Sequence, residues 1–464
     1  MKFSISNLGP IDSAEMTLAP LTVLCGKNNT GKTYASYSLF CSLDFIRHAI
    51  SFPVPDEAIN DLLENGEIEI GLDLSQEVLD AYFDMASKRA CAMIPVFFAA
   101  EPSHFKHSKL NLSVSPDDLV IPVSFSRTLS AGNQYSLQLS KPKGSQRLTA
   151  TLLRNGKTPL KEAQKEIIES VIGDTIKEII FKDTLPAITF TSTERTGALM
   201  FRDELTPEKG KDIKALLERH PDDFDGLVED VSHSLYPFPI IKNINFVKNL
   251  RSIALRTSPL AKRYPGLVTA FDRISGGRYS ADENGIFFSP ADTPSLKLAM
   301  EESSSSARSL VLISFWLRHL AKKGDLLMID EPEMNLHPES QRLLARWVAM
   351  LVNCGVKVFI TTHSDYFIKE LNTLVMLRKQ QKAERIPSLM EKNGISKSML
   401  LNPKDFRVYV AKRPTKTAKD GTTILGKTTI GEAPVDSFYG AAVSSFDDTI
   451  SRINELQEAI IFNG

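Results

Sequence analysis

Apolar and polar positions alternate with period two through the first residues of the chain. Lys2–Ser6, Ala14–Leu18 and Leu21–Cys25 therefore read as short strands, punctuated by Gly9-Pro10 and Ala19-Pro20. The pattern then lengthens to a helix expected from Lys32 towards Arg47. Residues 55–185 are mixed: Leu119–Ser126, Tyr135–Leu139 and Arg147–Leu153 look like strands, and Leu160–Ile180 looks helical. Residues 200–265 are polar and helical, with two apolar-aromatic stretches, and read as an insertion. Three short apolar runs, Ala187–Thr191, Leu326–Ile329 and Val356–Thr361, predict buried strands. Between and after them the pattern predicts helices over Glu302–Leu320, Glu339–Val352 (stopped by Asn353 and Gly355) and Asp365–Leu374. A basic helical stretch to about Leu400 follows, then strands at Phe406–Ala411 and Thr422–Ile430 and a helix from Ser445. Strand–loop–helix units with apolar strands predict an α/β fold, a parallel sheet with helices packed on it.

One loop in this pattern carries chemistry. Gly26, Lys27, Asn28, Asn29, Thr30, Gly31, Lys32 and Thr33 match GxxxxGK[ST], after an apolar strand and before a helix. Glycines let such a loop wrap so that backbone N–H groups face phosphates, and the helix N-terminus adds partial positive charge. Lys32 is then expected on the β- and γ-phosphates of ATP, and the Thr33 hydroxyl on Mg2+. A second site half follows the run Leu326–Ile329, which delivers Asp330 and Glu331 at its end. Asp330 is expected to hold Mg2+ and Glu331 to polarise the attacking water. A third strand, Phe359–Thr362, ends in His363, placed to touch the γ-phosphate or that water. Lys32 and Asp330 are 298 residues apart, so one core has to be assembled from both ends of the chain.

Composition narrows the reading without redirecting it. The 464 residues suffice for two or three cores, and 42% hydrophobic with 24% charged residues is ordinary for a soluble globular protein. No run of about 18 apolar residues predicts a membrane span. Cys25, Cys41, Cys91 and Cys354 are scattered, which suggests neither zinc nor a disulfide framework and fits a reducing cytoplasm. The net charge of -1 means that attraction to nucleic acid needs a local patch. Residues 239–280 supply one: Lys242, Lys248, Arg251, Arg256, Lys262, Arg263, Arg273 and Arg278 stand against Asp272 alone, a net of +7. That stretch reads as a phosphate-backbone track, a solvated face or a partner surface.

Together these motifs resemble ABC-type ATPases of the SMC, RecF and OLD branch of the AAA family. The resemblance rests on "LTVLCGKNNTGKT", on "SSSSARSLVLISFWLRHLAKKGDLLMIDEPEMNLHPESQRLLARW" and on "VKVFITTHSDYFIKELNTL". Asp330-Glu331-Pro332-Glu333 followed by Asn335-Leu336-His337-Pro338 is particularly similar to the OLD/RecF-like group, and Thr191–Gly197 also resembles a short motif of these proteins. The resemblance implies an α/β ABC-type P-loop ATPase head with a mixed β-sheet and helical insertions. It divides the chain into a core of residues 1–55 and 286–376, an elaboration over 56–199, a basic helical insertion over 200–285 and a C-terminal subdomain over 377–464. Tyr34 joins the loop residues as nucleotide-binding. The resemblance implies self-association: ATP lies between the P-loop of one copy and the signature helix of the other, represented by Ser304, Ser305 and Ser306 with Arg308 behind. Related proteins usually carry Gly where Ser306 stands. Asn335–Pro338 takes the place of the loop that communicates across the dimer, with His337 open between that role and packing beside a helix cap. No glutamine loop is evident; Glu194 or Arg195 stands in its place, or the two form a structural pair. OLD-type proteins often continue into a Toprim nuclease, but the residues after Leu374 contain no Asp-x-Asp, and Asp223-Phe224-Asp225 reads as a solvated acidic turn. The resemblance thus implies an ATPase subunit of a bacterial anti-phage system, acting on a separate effector expected to be a nuclease. A RecF-like, ATP-gated DNA-binding protein is the alternative.

Overall fold

The computed structural model describes residues 1–72, 75–131, 135–154, 162–202, 204–205, 236–417, 423–443 and 457. The expected helix from Ser445 and the acidic turn at 223–225 lie outside these residues.

Nine strands form one mixed sheet. In chain order they are β1 (Lys2–Leu8), β2 (Ile11–Thr17), β3 (Leu21–Gly26), β4 (Lys109–Ser113), β5 (Ile188–Thr191), β6 (Leu326–Asp330), β7 (Lys357–Thr362), β8 (Phe406–Lys412) and β9 (Thr428–Ala433). Their spatial order is β4-β1-β2-β9-β8-β3-β7-β6-β5. The block from β8 to β5 is parallel, whereas β1 runs antiparallel to β2 and to β4, and β8 antiparallel to β9. All six residues of β3 are buried, as expected for a strand in the middle of a covered parallel sheet.

Period-two alternation sends the strands' side chains into two cores. Leu24, Met328, Phe359 and Tyr409 join a core on one face, with helix α1 (Lys32–Ala49) and residues of the 50–185 region. Val23, Leu327, Ile329, Ile360 and Val408 join the other, with helices α2 (Phe238–Lys248), α3 (Ser305–Phe315), α4 (Pro338–Asn353) and α5 (Asp365–Gln380). A separate four-stranded antiparallel sheet comprises Glu67–Gly71, Arg147–Arg154, Tyr135–Lys141 and Phe125–Ala131 in that spatial order.

Several expectations shift. The strand expected at Leu119–Ser126 forms instead at Phe125–Ala131, because Pro122 has no N–H to give a neighbouring strand. The single helix expected over Glu302–Leu320 starts at Ser305, capped by Ser304, and ends in a π-helical turn at Trp316–Leu320. The strand expected at Thr422–Ile430 is interrupted at Gly426-Lys427 into Thr423–Leu425 and β9. Two of the C-terminal strands join the main sheet: β9 pairs with β8 and β2, and β8 pairs with β3 over six residues, from Phe406↔Leu21 to Ala411↔Gly26. Nor is α2 peripheral, since its Phe238 and Val247 belong to the two cores on either face of the sheet. Among the described residues no helix is long and apolar enough to cross a membrane.

Candidate functional site

The C-terminal ends of β3, β7 and β6 lie side by side, with Cys25 opposite Thr362 and Thr361 opposite Asp330. The crevice beyond the carboxyl ends of parallel strands is where α/β sheets take their ligands. The three motifs read from the sequence meet there.

Backbone conformation shapes the P-loop. Gly26 (φ +149), Asn29 (φ +61) and Gly31 (φ +82) all have positive φ. A Cβ on Gly31 would lie 2.9 Å from Ile11 Cγ1, and one on Gly26 would lie 2.7 Å from the Ala411 carbonyl oxygen. Only glycine fits at either place. Thr30 Oγ1 donates to the Lys27 carbonyl at 2.7 Å. Lys32 is buried, and its Nζ donates to the carbonyls of Gly26 (3.1 Å) and Lys27 (3.0 Å). Lys27, Asn28 and Asn29 form the exposed lip of the loop. The Tyr34 ring stacks on Phe98, with centroids 4.7 Å apart, and packs over Gly9.

Thr33 begins the second half of the site. Its Oγ1 donates to Asp330 Oδ2 at 3.1 Å, and the Thr361 hydroxyl donates to Asp330 Oδ1. Asp330 is fully buried, and burial pushes its carboxyl up to about 6. Two hydroxyls serve it and, among the described residues, no ion-pair partner does. A buried carboxylate with a neighbouring hydroxyl and no ion-pair partner among the described residues is a donor set that suits Mg2+. No group of three or more His, Cys, Asp or Glu is placed to hold a metal among the described residues. A divalent ion here would take Thr33, Asp330 and nucleotide oxygens, the usual Mg2+ pattern.

Glu331 has φ +49, the left-handed region, unusual for a residue with a side chain. That turn lets adjacent residues both reach the crevice, which an extended strand would forbid. Its N–H donates to the Thr361 carbonyl and to Thr361 Oγ1, each at 3.1 Å. Its carboxylate Oε1 lies 3.6 Å from His363 Nδ1. The contact raises the histidine's pKa and lowers the carboxyl's, and in both it is the leading cause. His363 Nδ1 also lies 3.3 Å from Glu333 Oε1. The same oxygen accepts the His363 backbone N–H at 2.7 Å and Thr362 Oγ1 at 2.8 Å. With carboxylates as neighbours, Nδ1 carries the proton. Buried Glu333 is therefore an orienting residue that sequence reasoning named only within a motif; the signal available was a second acid two positions after the first.

Arg195 is the other residue underestimated. It is fully buried and makes no pair with Glu194. Its Nε donates to the Ser309 carbonyl (2.9 Å), Nη1 to those of Ser192 (2.8 Å) and Asp330 (2.9 Å), and Nη2 to that of Glu331 (3.0 Å). Burial pulls its pKa down to about 10. Exposed Glu194 accepts the Tyr37 hydroxyl at 3.0 Å instead. Asn243 of α2 holds the same region from outside: its Oδ1 accepts from Ser192 N (2.9 Å) and its Nδ2 donates to Phe190 O (2.8 Å).

Ser304, Ser305 and Ser306 open α3 and are not bonded to the P-loop of their own chain. Ser304 Oγ accepts the Ala307 N–H at 3.2 Å and lies 2.9 Å from Ser306 Oγ. Arg308 Nη1 donates to the Ser303 carbonyl at 2.6 Å, fixing the turn before the helix. His337 is itself the N-cap of α4, accepting from Glu339 N at 3.3 Å, and it is exposed. In the basic stretch, Lys242 pairs with Asp44 at 3.0 Å, and Asp272 pairs with Arg278 and Arg318. Lys248, Arg251, Arg256, Lys262, Arg263 and Arg273 are exposed with no ion-pair partner among the described residues.

No curated protein matches the chain. Among solved structures, an Smc head bound to the C-winged helix domain of ScpA is similar over 94% of this chain and 97% of its own, at 10% identity and TM-score 0.35. An Smc head with an extended coiled coil, bound to the C-terminal domain of ScpA and derived from Pyrococcus furiosus, is similar over 98% of each chain at 10% identity and TM-score 0.34. The SMC head domain from Thermotoga maritima is similar over 94% and 98% at 10% identity and TM-score 0.28. The family model described as AAA ATPase domain matches residues 124–368. That match includes Arg195, Ser304–Ser306, Asp330, Glu331 and His363, and the fold places the P-loop, which precedes it in sequence, against Asp330. With more than half of its length covered by the match, the chain belongs to the AAA ATPase domain family.

Proposed function

We propose that this chain binds and hydrolyses ATP as an ABC/SMC-type switch, two copies closing head to head on nucleotide to control a separate effector protein. The observation that carries this is the meeting of Thr33 with Asp330, with Glu331 in its left-handed turn beside His363. Lys32, resting on loop carbonyls, is placed to turn to the β- and γ-phosphates. Thr33 and Asp330 would hold Mg2+, which when bound neutralises charge building on the transferring phosphoryl group. Glu331 orients a water and takes its proton as the water oxygen bonds to the γ-phosphorus and the bond to the ADP oxygen breaks. His363, its Nδ1 proton fixed by the two glutamates, faces the same reaction volume. The exposed N-terminus of α3, with Ser304, Ser305 and Ser306, supports a phosphate contact made across the dimer. The effector, its nuclease class and an anti-phage role rest on the resemblance of residues 330–338 to the OLD/RecF-like group. A second reading, ATP-gated DNA binding, is supported by the six exposed cations from Lys248 to Arg273 that have no ion-pair partner among the described residues, and DNA-stimulated hydrolysis would favour it.

Lys32→Ala should abolish ATP binding, and Glu331→Gln should bind ATP but turn over slowly, trapping the dimer. Mixing Lys32→Ala with Ser305→Arg chains should restore part of the activity, because a mixed dimer keeps one intact site. Wild-type turnover by Glu331→Gln would overturn the catalytic assignment, and no recovery at any mixing ratio would argue for a site completed within one chain.

A further inference from the structure

A fully buried arginine bound to four main-chain carbonyls and to no carboxylate calls for an explanation. Arginine's planar fork offers five N–H donors in fixed directions. Arg195 spends four of them on three separate elements: Ser192 at the end of β5, Asp330 and Glu331 at the end of β6, and Ser309 in α3. Two of these carbonyls flank the peptide whose residue, Glu331, is held at φ +49. A non-glycine residue in that region persists only where its surroundings over-determine it. Thr361 holds the N–H side of Glu331 and Arg195 holds the carbonyl side. The third anchor lies five residues beyond Ser304, about 7 Å along the helix.

We propose that Arg195 is a positioning residue for ATP hydrolysis: it fixes the Glu331 turn against α3, so that the seating of the Ser304–Ser306 helix start sets where the Glu331 carboxylate points. The proposal rests on the assignment of Glu331 as the residue that acts on water. Lysine at 195 keeps a buried cation but cannot span the three elements, since a point charge replaces the fork.

The test uses the full chain, with phosphate release at saturating ATP and Mg2+, and with binding read by a fluorescent N-methylanthraniloyl ATP. Arg195→Lys should lower kcat about 100-fold, the usual consequence of misplacing a catalytic group by an ångström, while Kd stays within about threefold. In the Glu331→Gln background the same change should cost no more than about threefold, because a residue that acts through Glu331 has nothing left to position. A merely structural arginine would instead give multiplicative losses. Should Arg195→Lys fail to fold, Arg195→Gln replaces it; failure of both would assign the residue to the fold and overturn the proposal. Wild-type turnover by Glu331→Gln would sink the base assignment and this proposal together. A slow Glu331→Gln beside a folded Arg195→Lys with wild-type kcat, or with losses that multiply in the double variant, would sink this proposal alone.

Discussion

Replacing Asn243 tests how the outer edge of the main sheet is closed. Among the described residues, strand β5 pairs with β6 on one side and has no strand on the other. Unpaired edge groups that are also buried are costly. The Asn243 amide takes the place of a neighbouring strand: it accepts from Ser192 N at 2.9 Å and donates to Phe190 O at 2.8 Å, with all of this buried. Its second donor hydrogen goes to the Pro239 carbonyl at 3.0 Å, within its own helix. Asn243→Leu keeps most of the volume and strands one backbone N–H and one backbone carbonyl. At about 1–3 kcal/mol for each unsatisfied buried group, the loss should be about 2–6 kcal/mol. Asn243→Ala should lose at least as much. Urea unfolding followed by tryptophan fluorescence reads this directly, because Trp316 and Trp347 are both buried in the core on the helix-covered face to which α2 contributes Val247. Asn249→Ala, which removes an exposed side-chain bond, is the control and should stay within about 0.5 kcal/mol. An Asn243→Leu protein within about 0.5 kcal/mol of wild type would refute the edge-closing role.

Two further predictions concern the crevice and the basic helices. Glu333→Gln should lower kcat roughly 10-fold or more with ATP affinity little changed, because His363 loses one of the two carboxylates that orient it; wild-type kcat in steady-state hydrolysis would remove Glu333 from the site. Reversing Lys248, Arg251 and Arg256 to Glu together should leave basal hydrolysis within about twofold, since all three are exposed, and abolish biological activity in cells. Full cellular activity, or loss of the ATPase, would refute that division of labour.

The candidate crevice was legible where chemistry and pattern coincide. The glycines of the P-loop, the apolar run before Asp330 and the strand before His363 each announce both an element and the chemistry expected at its end. Arg195 was not legible in the same way, because its partners are main-chain carbonyls, which every residue has. Asn243 hid for the opposite reason: one amide in a helix read as polar looks solvated until Ser192 is seen beneath it. The partnership of β8 with β3 escaped because periodicity reports an element's burial and not its neighbour, and Tyr409 stands opposite Leu24 across 385 residues of chain. Pro122 shows the smaller kind of miss, in which a suitable apolar run is displaced by one residue that lacks a donor.

That pairing has a consequence for how the protein is made. Both neighbours of β3 come late: β7 begins at Lys357 and β8 at Phe406. At about 5–20 residues per second, the 380 residues from Gly26 to Phe406 take roughly 20–80 s to synthesise. Until Lys357 is reached, most of that interval, the strand before the P-loop, six residues that all end up buried, has neither partner beside it. Gly26 cannot take its place against Ala411, nor can Thr428 bond to the Pro10 turn that packs on Gly31, until the ribosome has passed them. Packing of the P-loop is thereby tied to translation past Thr428: a chain stopped before it carries an intact GxxxxGK[ST] without the strands that close on it.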